Sequence, residues 1–324
     1  MANPSVGATQ QEKSVGAEEA DSASISVSVV VGLVRVMALL PFSFRSALGG
    51  LLGYIVGLLP FRDSRFCHLQ LQAFLPEISA RSITPRVFSN VGRTLMESLR
   101  LQPIIREHET HIRCDSWGPV EGWVADERPI VCLTGHTGNW DLLAAYVIAR
   151  GVPLTTIGRE ARSPAAQAVL RSIREGYGIE TIWRSDRHGL KRLVQCLRER
   201  RVVAALIDQD TRVESIPVPF LGASAKTPVS LITLGKKMNA RFVSAFLFRT
   251  GWLRYTVFIE EIPHSDSELE ILTSYHTQLE RLIRRYPAQW VWFHKRWRST
   301  PDGRTLSSRE YEETLRKRVH VAQG

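Results

Sequence analysis

From residue 129 the chain alternates short apolar runs with amphipathic stretches, and few folds tolerate that rhythm. PIVCLTG (129–135), VPLTTIG (152–158), IETIWR (179–184) and VVAALIDQD (202–210) are predicted as strands. Between them NWDLLAAYVIARG (139–151), SPAAQAVLRSIREGYG (163–178) and HGLKRLVQCLRER (188–200) are predicted as helices. Strands separated by helical patterns of about 10 to 15 residues build βαβ units, because parallel neighbours need a crossover between them. The expected fold class is therefore α/β, a mostly parallel central sheet flanked by helices. SLITLGKKMN (230–239) adds a helix, ARFVSAFLFR (240–249) and LRYTVFIEE (253–261) a pair of strands, and residues 267–290 a long amphipathic helix.

Upstream the pattern differs. Residues 1–24 are rich in Ala, Ser, Gly and Glu and are expected to be a disordered tail, with too little apolar surface to offset the entropy of ordering. Residues 25–60 are apolar, broken by Arg35, Pro41 and Ser43, and are expected to be membrane-associated helices. Each half falls short of the roughly 20 apolar residues a spanning helix needs, so a monotopic or re-entrant attachment fits as well as a span. The acidic start does not match a cleaved secretory signal. Residues 61–305 then form the main domain and 306–324 a basic C-terminal tail.

With 324 residues, 44% of them hydrophobic, the chain can bury a substantial core. Its formal charge of +10 points to an anionic partner, either a membrane surface, a phosphorylated substrate or nucleic acid. The tail carries Glu12, Glu18, Glu19 and Asp21 against Lys13, so the excess of base belongs to the folded part. Cys67, Cys114, Cys132 and Cys196 have neither the spacing of a metal site nor that of a redox pair, which suits a reducing compartment.

The segment GHTGNWD (135–141) sits where a buried strand gives way to a helix. In an open parallel sheet, ligands bind beyond the carboxyl ends of the strands. Asn139 is a good helix N-cap, which puts Asp141 in the first turn. His136 meets Asp141 only if the loop folds back, and Gly135 and Gly138 permit that return. A carboxylate bonded to one imidazole nitrogen leaves the other as a general base. No Ser or Cys nucleophile accompanies the pair, so the hydroxyl it would activate belongs to a substrate. The plain alternative is a loop histidine beside a solvated first-turn aspartate.

Four other features carry chemistry. Arg159 and Arg162 follow the next strand and suit phosphate groups. Asp208 and Asp210 read either as a DxD pair holding a divalent ion against a sugar nucleotide, as in glycosyltransferases, or as acceptors beneath the site and at a turn. Phe220 and Leu221 beside Gly222 are expected to be exposed, lining an acyl groove or packing over the sheet. Residues 281–298 interleave Arg and Lys with Tyr286, Trp290, Trp292, Phe293 and Trp297, a composition suited to a membrane interface. No nucleic-acid-binding motif accompanies it. Arg171 and Arg174 are expected on an exposed helix face.

These residues resemble, in order, a known family. GHTGNWD is similar to the HxxxxD/E motif of the glycerolipid acyltransferases, and in particular of the bacterial lipid A biosynthesis acyltransferases. LPFSFRSALGGLLGYIVGLLP (40–60) looks like that family's membrane-associated opening. LQLQAFLPEIS (69–79) resembles another of its elements, with Gln70 where asparagine is usual and Leu75 where phenylalanine is. IGREARSP (157–164), VVAALIDQD, IPVPFLGASAKTP (216–228) and PAQWVWFHKRW (287–297) continue the likeness. Glutamate is common at the second motif position, where this chain has Asp141. The resemblance implies His136 as general base and Asp141 as its orienting partner, with Asn139, Arg159, Arg162, Asp208, Phe220 and Gly222 in substrate binding. It implies transfer of an acyl group from an acyl carrier protein or coenzyme A thioester to a glycolipid hydroxyl, without metal or cofactor, at the cytoplasmic face of a bacterial inner membrane. Backbone amides around Gly135–Gly138 are expected to hold the oxyanion.

Overall fold

The computed structural model describes residue 32 and residues 34–126, 128–161 and 163–323. The expected tail (1–24), part of the apolar opening and Arg162 therefore lie outside the described residues. After helical residues 34–39, helices α1 (Phe42–Leu58), α2 (Arg62–Phe74) and α3 (Ala80–Ser98) precede the sheet. Short α4 (Gln102–Arg106) and α5 (His108–His111) bring the chain to strand β1 (Ile112–Arg113) and helix α6 (Trp117–Ala125).

The alternating region folds as its sequence predicts. Strands β2 (Ile130–Thr134), β3 (Leu154–Gly158), β4 (Glu180–Trp183) and β5 (Val202–Leu206) are separated by α7 (Trp140–Ala149), α8 (Pro164–Gly176) and α9 (Gly189–Arg198). A hairpin of β6 (Ser215–Phe220) and β7 (Ala223–Pro228), then α10 (Ser230–Lys237), leads to β8 (Arg241–Gly251), β9 (Arg254–Glu261), α11 (Glu268–Arg285) and α12 (Ser308–Gln323). The seven-stranded sheet has order β1-β9-β8-β2-β5-β3-β4. All its pairings are parallel except β8 with β9. β2 sits near the middle, between β8 and β5.

Local chemistry sets the boundaries. Asn139, Ser163 and Ser267 cap α7, α8 and α11 by accepting from the amides of Leu142, Ala166 and Glu270. Gly151, at φ +81°, ends the α7 unit in the left-handed region. Successive residues of β2 face opposite ways, so Val131 and Leu133 enter one apolar cluster and Ile130 and Cys132 the other. A strand buried on both faces reads as an unbroken apolar run, which is why β2 shows no alternation.

Three expectations are corrected. The segment expected as a basic C-terminal tail carries a packed helix, because α12 lies on α2 with Tyr311 and Leu315 buried, and the Tyr311 hydroxyl donates to Gln70 Oε1 at 2.7 Å. Phe220 and Leu221 are buried, since residues 216–228 are a hairpin folded against α11 and the C-terminal aromatics. In the C-terminal run Trp290, Trp292, Arg296 and Trp297 are buried, so these residues pack the core and are not the exposed interfacial rings expected. Its Arg296 guanidinium donates to the Lys226 carbonyl and to Thr227 Oγ1, tying the run to β7.

The opening apolar region keeps its exposed face. Leu51, Ile55, Leu58 and Leu59 of α1 and its C-cap lie open, Leu58 at 61%. Among the described residues no single helix is long and apolar enough to cross a membrane, although α1 and α2, bent by 82°, are so in combination.

Candidate active site

The parallel register between β2 and β5 builds the site. Thr134 pairs with Leu206, and the Ile207 amide extends the ladder to the Thr134 carbonyl at 3.1 Å. Two residues beyond that pair on each strand stand His136 and Asp208, at the carboxyl edge where such sheets bind ligands. His136 Nδ1 lies 2.7 Å from Asp208 Oδ1, and the His136 amide donates to Asp208 Oδ2 at 2.7 Å. Trp290 Nε1 donates to the same Oδ2 at 2.8 Å. A Cβ at position 135 would lie only 3.0 Å from that oxygen, so Gly135 lets the carboxylate approach the backbone.

Asp208 is 1% exposed. Burial by itself raises its pKa, but the His136 charge and the hydrogen bonds from His136 and Trp290 outweigh that and hold it down at about 2. The carboxylate is thus ionised and fixes the imidazole, and a proton on Nδ1 leaves Nε2 as the basic atom. His136 keeps 24% of its side chain exposed, with the Trp140 ring edge-on at 5.1 Å. A sealed anion beneath a partly open imidazole is suited to accept a proton from an incoming group.

The loop between these residues is held on every side. Gly138 has φ +49°, and a Cβ there would lie 2.1 Å from the Leu247 carbonyl oxygen. Its amide donates to the Gln289 carbonyl at 2.8 Å, and Thr137 bridges to Trp290. The Thr137 amide donates to the Gly135 carbonyl at 2.8 Å. The amides of His136, Thr137 and Gly138 are therefore committed to internal acceptors, which takes these three out of the set from Gly135 to Gly138 expected to hold an oxyanion.

Asp141 is the main correction. It does not partner His136 but pairs with Arg174, Oδ1 to Nε 3.3 Å, with both side chains nearly buried. The reason is positional: Asp141 is carried round by the first turn of α7, whereas Asp208 is delivered by the neighbouring strand. Arg174, expected on an exposed face, instead closes this pair and stands over the Trp183 ring at 5.7 Å. Asn139 is fully buried as the α7 cap and donates to Glu97 Oε2 at 2.9 Å, so it shapes the loop. Arg159 lies exposed just beyond β3, on the same edge of the sheet as His136.

Phe220 is buried against Trp290, Trp297 and His276 and offers no open groove. Gly222, at φ +72°, completes the hairpin turn, and its carbonyl accepts from Arg318 at 2.9 Å. Asp210 accepts from the Ser299 amide at 2.7 Å and hydroxyl at 3.1 Å. With Asp208 turned to His136 and Asp210 to Ser299, the two carboxylates do not present a common set of oxygens, and both act as acceptors, the second of the two readings of the DQD stretch. Among the described residues no group of three or more His, Cys, Asp or Glu side chains is arranged to hold a metal ion.

Sequence reasoning missed two residues. Trp290 comes from beyond α11, more than 150 positions from His136, and its role as donor to Asp208 had no local signal. His294, whose pKa burial lowers to about 4, interacts electrostatically with both Asp208 and His136, and its Nδ1 is buried without a hydrogen-bond partner. It is therefore a neutral second imidazole beside the pair at ordinary pH.

The site is an α/β sheet with an Asp-held histidine at the carboxyl edge of its central strands. Residues 19–299 match the family of bacterial lipid A biosynthesis acyltransferases, and the chain belongs to that acyltransferase family. It is 24% identical over 284 residues to the lipid A biosynthesis acyltransferase 2 of Shigella flexneri, covering 82% of this chain and 87% of that one. With the lipid A biosynthesis acyltransferase of Haemophilus influenzae it shares 22% over 282 residues, 83% and 86% of the two chains. With the phosphatidylinositol mannoside acyltransferase of Mycolicibacterium smegmatis it shares 22% over 174 residues, 52% of this chain and 57% of that one. The match to the mycobacterial relative thus spans little more than half of that protein's length.

Proposed function

We propose that this protein moves a fatty acyl group from a thioester donor, carried by acyl carrier protein or coenzyme A, to a hydroxyl of a membrane glycolipid such as a lipid A precursor. His136 Nε2 accepts the hydroxyl proton while the oxygen attacks the thioester carbonyl. The tetrahedral adduct collapses with loss of the thiolate, which takes the proton back from the imidazolium. Asp208 stabilises the imidazolium and keeps the ring in the useful tautomer. The steps need no metal and no cofactor, the thioester being a co-substrate. The observation that carries this reading is the His136 Nδ1 to Asp208 Oδ1 contact of 2.7 Å at the carboxyl edge of the sheet. It is supported by membership of an acyltransferase family over residues 19–299.

The acceptor is reached at a membrane surface. The open apolar face of α1 lies in the segment that resembles the family's membrane-associated opening, and an exposed patch of Leu51, Leu52, Ile55 and Leu58 suits the interface of a bilayer. We assign the protein to the cytoplasmic face of the inner membrane, where thioester donors are found. Exposed Arg159 is our candidate for an acceptor phosphate, and Arg162 is assigned with it from sequence alone.

The test is transfer of labelled acyl groups from each donor separately to extracted bacterial glycolipid, with chelator present. The wild-type chain should label glycolipid from one or both donors, and His136→Ala should lose roughly 10²- to 10⁴-fold of the rate. Full turnover by His136→Ala would remove the histidine from the mechanism. Labelling abolished by chelator would instead favour a metal-dependent glycosyl or acyl transfer.

A further inference from the structure

A second carboxylate is sealed in the protein, bonded to Asn139 at the far end of the His136 loop, and the proposed reaction does not use it. Glu97, near the end of α3, is 0% exposed. Its Oε1 accepts from Ser46 Oγ at 2.7 Å and from Arg249 Nε at 3.2 Å, and its Oε2 accepts from Asn139 Nδ2 at 2.9 Å and from Arg249 Nη2 at 2.6 Å. Burial raises the Glu97 pKa, but Arg249 and these donors more than offset that and leave it below the ordinary value, so the group is a buried anion. A buried ion pair is a poor device for stability alone, since apolar side chains of the same volume often serve as well. Its partners indicate another use.

Each partner belongs to a different part of the molecule. Asn139 is the cap that starts α7 and stands three residues after His136. Beside it, Thr94 of α3 donates to the Gly138 carbonyl, and Arg249 Nη2 donates to Thr94 Oγ1 at 3.0 Å. The turn that carries His136 into α7 is thus gripped at two consecutive residues by α3, whose gripping side chains Arg249 of β8 braces. Ser46 belongs to α1, the helix with the open apolar face, and its hydroxyl also accepts from Arg93 at 3.2 Å. α1 cannot shift freely over α3: a Cβ on Gly53 would lie 2.1 Å from the Phe88 carbonyl oxygen, and one on Gly92 2.1 Å from that of Gly49. Backbones in such contact move together.

We propose that Glu97 is a positioning residue for His136, holding the Gly138–Asn139 turn through Asn139 and registering it against α1 through Ser46, so that the seating of α1 on a membrane sets the geometry of the catalytic loop. This rests on the acyl-transfer reading for its kinetic consequence, but the structural link stands apart from it. A displacement of a catalytic base by a fraction of an ångström lowers turnover without weakening substrate binding.

The experiment uses the full chain, with Ser46→Ala as the gentle variant and Glu97→Gln as the severe one. Vesicles of phosphatidylethanolamine and phosphatidylglycerol carry the glycolipid acceptor. Ser46→Ala should bind the vesicles as the wild type does and keep its KM while kcat falls about 10-fold. Amide hydrogen exchange across residues 136–142 should slow when the wild type meets vesicles, and that response should be lost in both variants. Unchanged kcat in Ser46→Ala, or identical exchange of the three proteins with and without vesicles, would overturn the proposal. If the wild type transfers no acyl group at all, the acyl-transfer reading fails while the exchange measurement still decides the link. A Glu97→Gln chain that does not fold leaves the decision to Ser46→Ala.

Discussion

Asp141 and Asp208 are both buried aspartates near the same histidine, yet they lie in unlike settings. Asp141 is five residues along the chain from His136 and pairs with Arg174 at 3.3 Å across the start of α7. Asp208 is 72 residues away and touches His136 through both its ring and its amide at 2.7 Å. A helix turns a residue away from the loop that precedes it, whereas a parallel sheet delivers the ends of two neighbouring strands side by side. Nearness along the chain is therefore a poor guide to which acid orients a base. The Asp141–Arg174 pair is a clamp between the first turn of α7 and the last of α8.

That contrast is open to direct attack. The largest expected effect is on turnover: Asp208→Asn should lower kcat by roughly 10²- to 10⁴-fold, because the amide no longer holds the imidazole in its basic tautomer. Asp141→Asn should cost far less in kcat and show its loss chiefly in thermal denaturation. Labelled acyl transfer with matched melting curves separates the two, and a greater kcat loss in Asp141→Asn would restore the motif aspartate as the orienting group.

Acid denaturation sharpens the comparison next. Because the folded pKa of Asp208 is depressed to about 2, its contribution is full above the unfolded value near 3.9 and disappears as pH falls from there toward 2. The window holds about 2 kcal/mol, which Asp208→Asn should lack. Denaturant unfolding at several pH values from neutral down to that window would detect it, and parallel curves for wild type and variant would contradict the ionised pair. Trp290→Phe should follow, lowering kcat about 10-fold by removing one donor to the buried anion. An unaltered rate in that variant would leave His136 as the only hydrogen-bonding group Asp208 needs.

The smallest effect concerns the two apolar ends of the chain, which differ in the same way. α1 holds its leucines open while the tryptophans of the C-terminal run are sealed inside, although both segments are expected at a membrane from composition alone. Leu58→Ser should therefore weaken vesicle binding by about 1 to 2 kcal/mol, seen as a shift toward the soluble fraction in a flotation assay. Unaltered flotation would move the membrane contact elsewhere.

Much of the fold was legible because periodicity reports burial directly. Strands β2 to β5 and the helices between them fall where the apolar runs put them, and Asn139 caps α7 as a side chain of its type should. The site was legible only in part. His136 stands out by its address at a strand end, and Asp208 and Asp210 were visible as acids at the next strand's end. Which acid met the histidine was not visible, since it depends on the order β2-β5-β3-β4 and on the register of Thr134 with Leu206. Arg174 was misread because a charged residue on a helix gives no sign of a buried partner two elements away in the chain.

By itself, then, the sequence determined the α/β class, the strand and helix positions from residue 129 onward and the place of the histidine, because these follow from short-range patterns of burial and capping. The tertiary structure alone decided that Asp208 orients His136, that Trp290 supports it, that the aromatic C-terminal run turns inward and that Glu97 ties the loop to α1. Each of these is a contact between residues far apart in the chain, chosen by strand order and by the need of a buried charge for partners, and neither is written in local pattern.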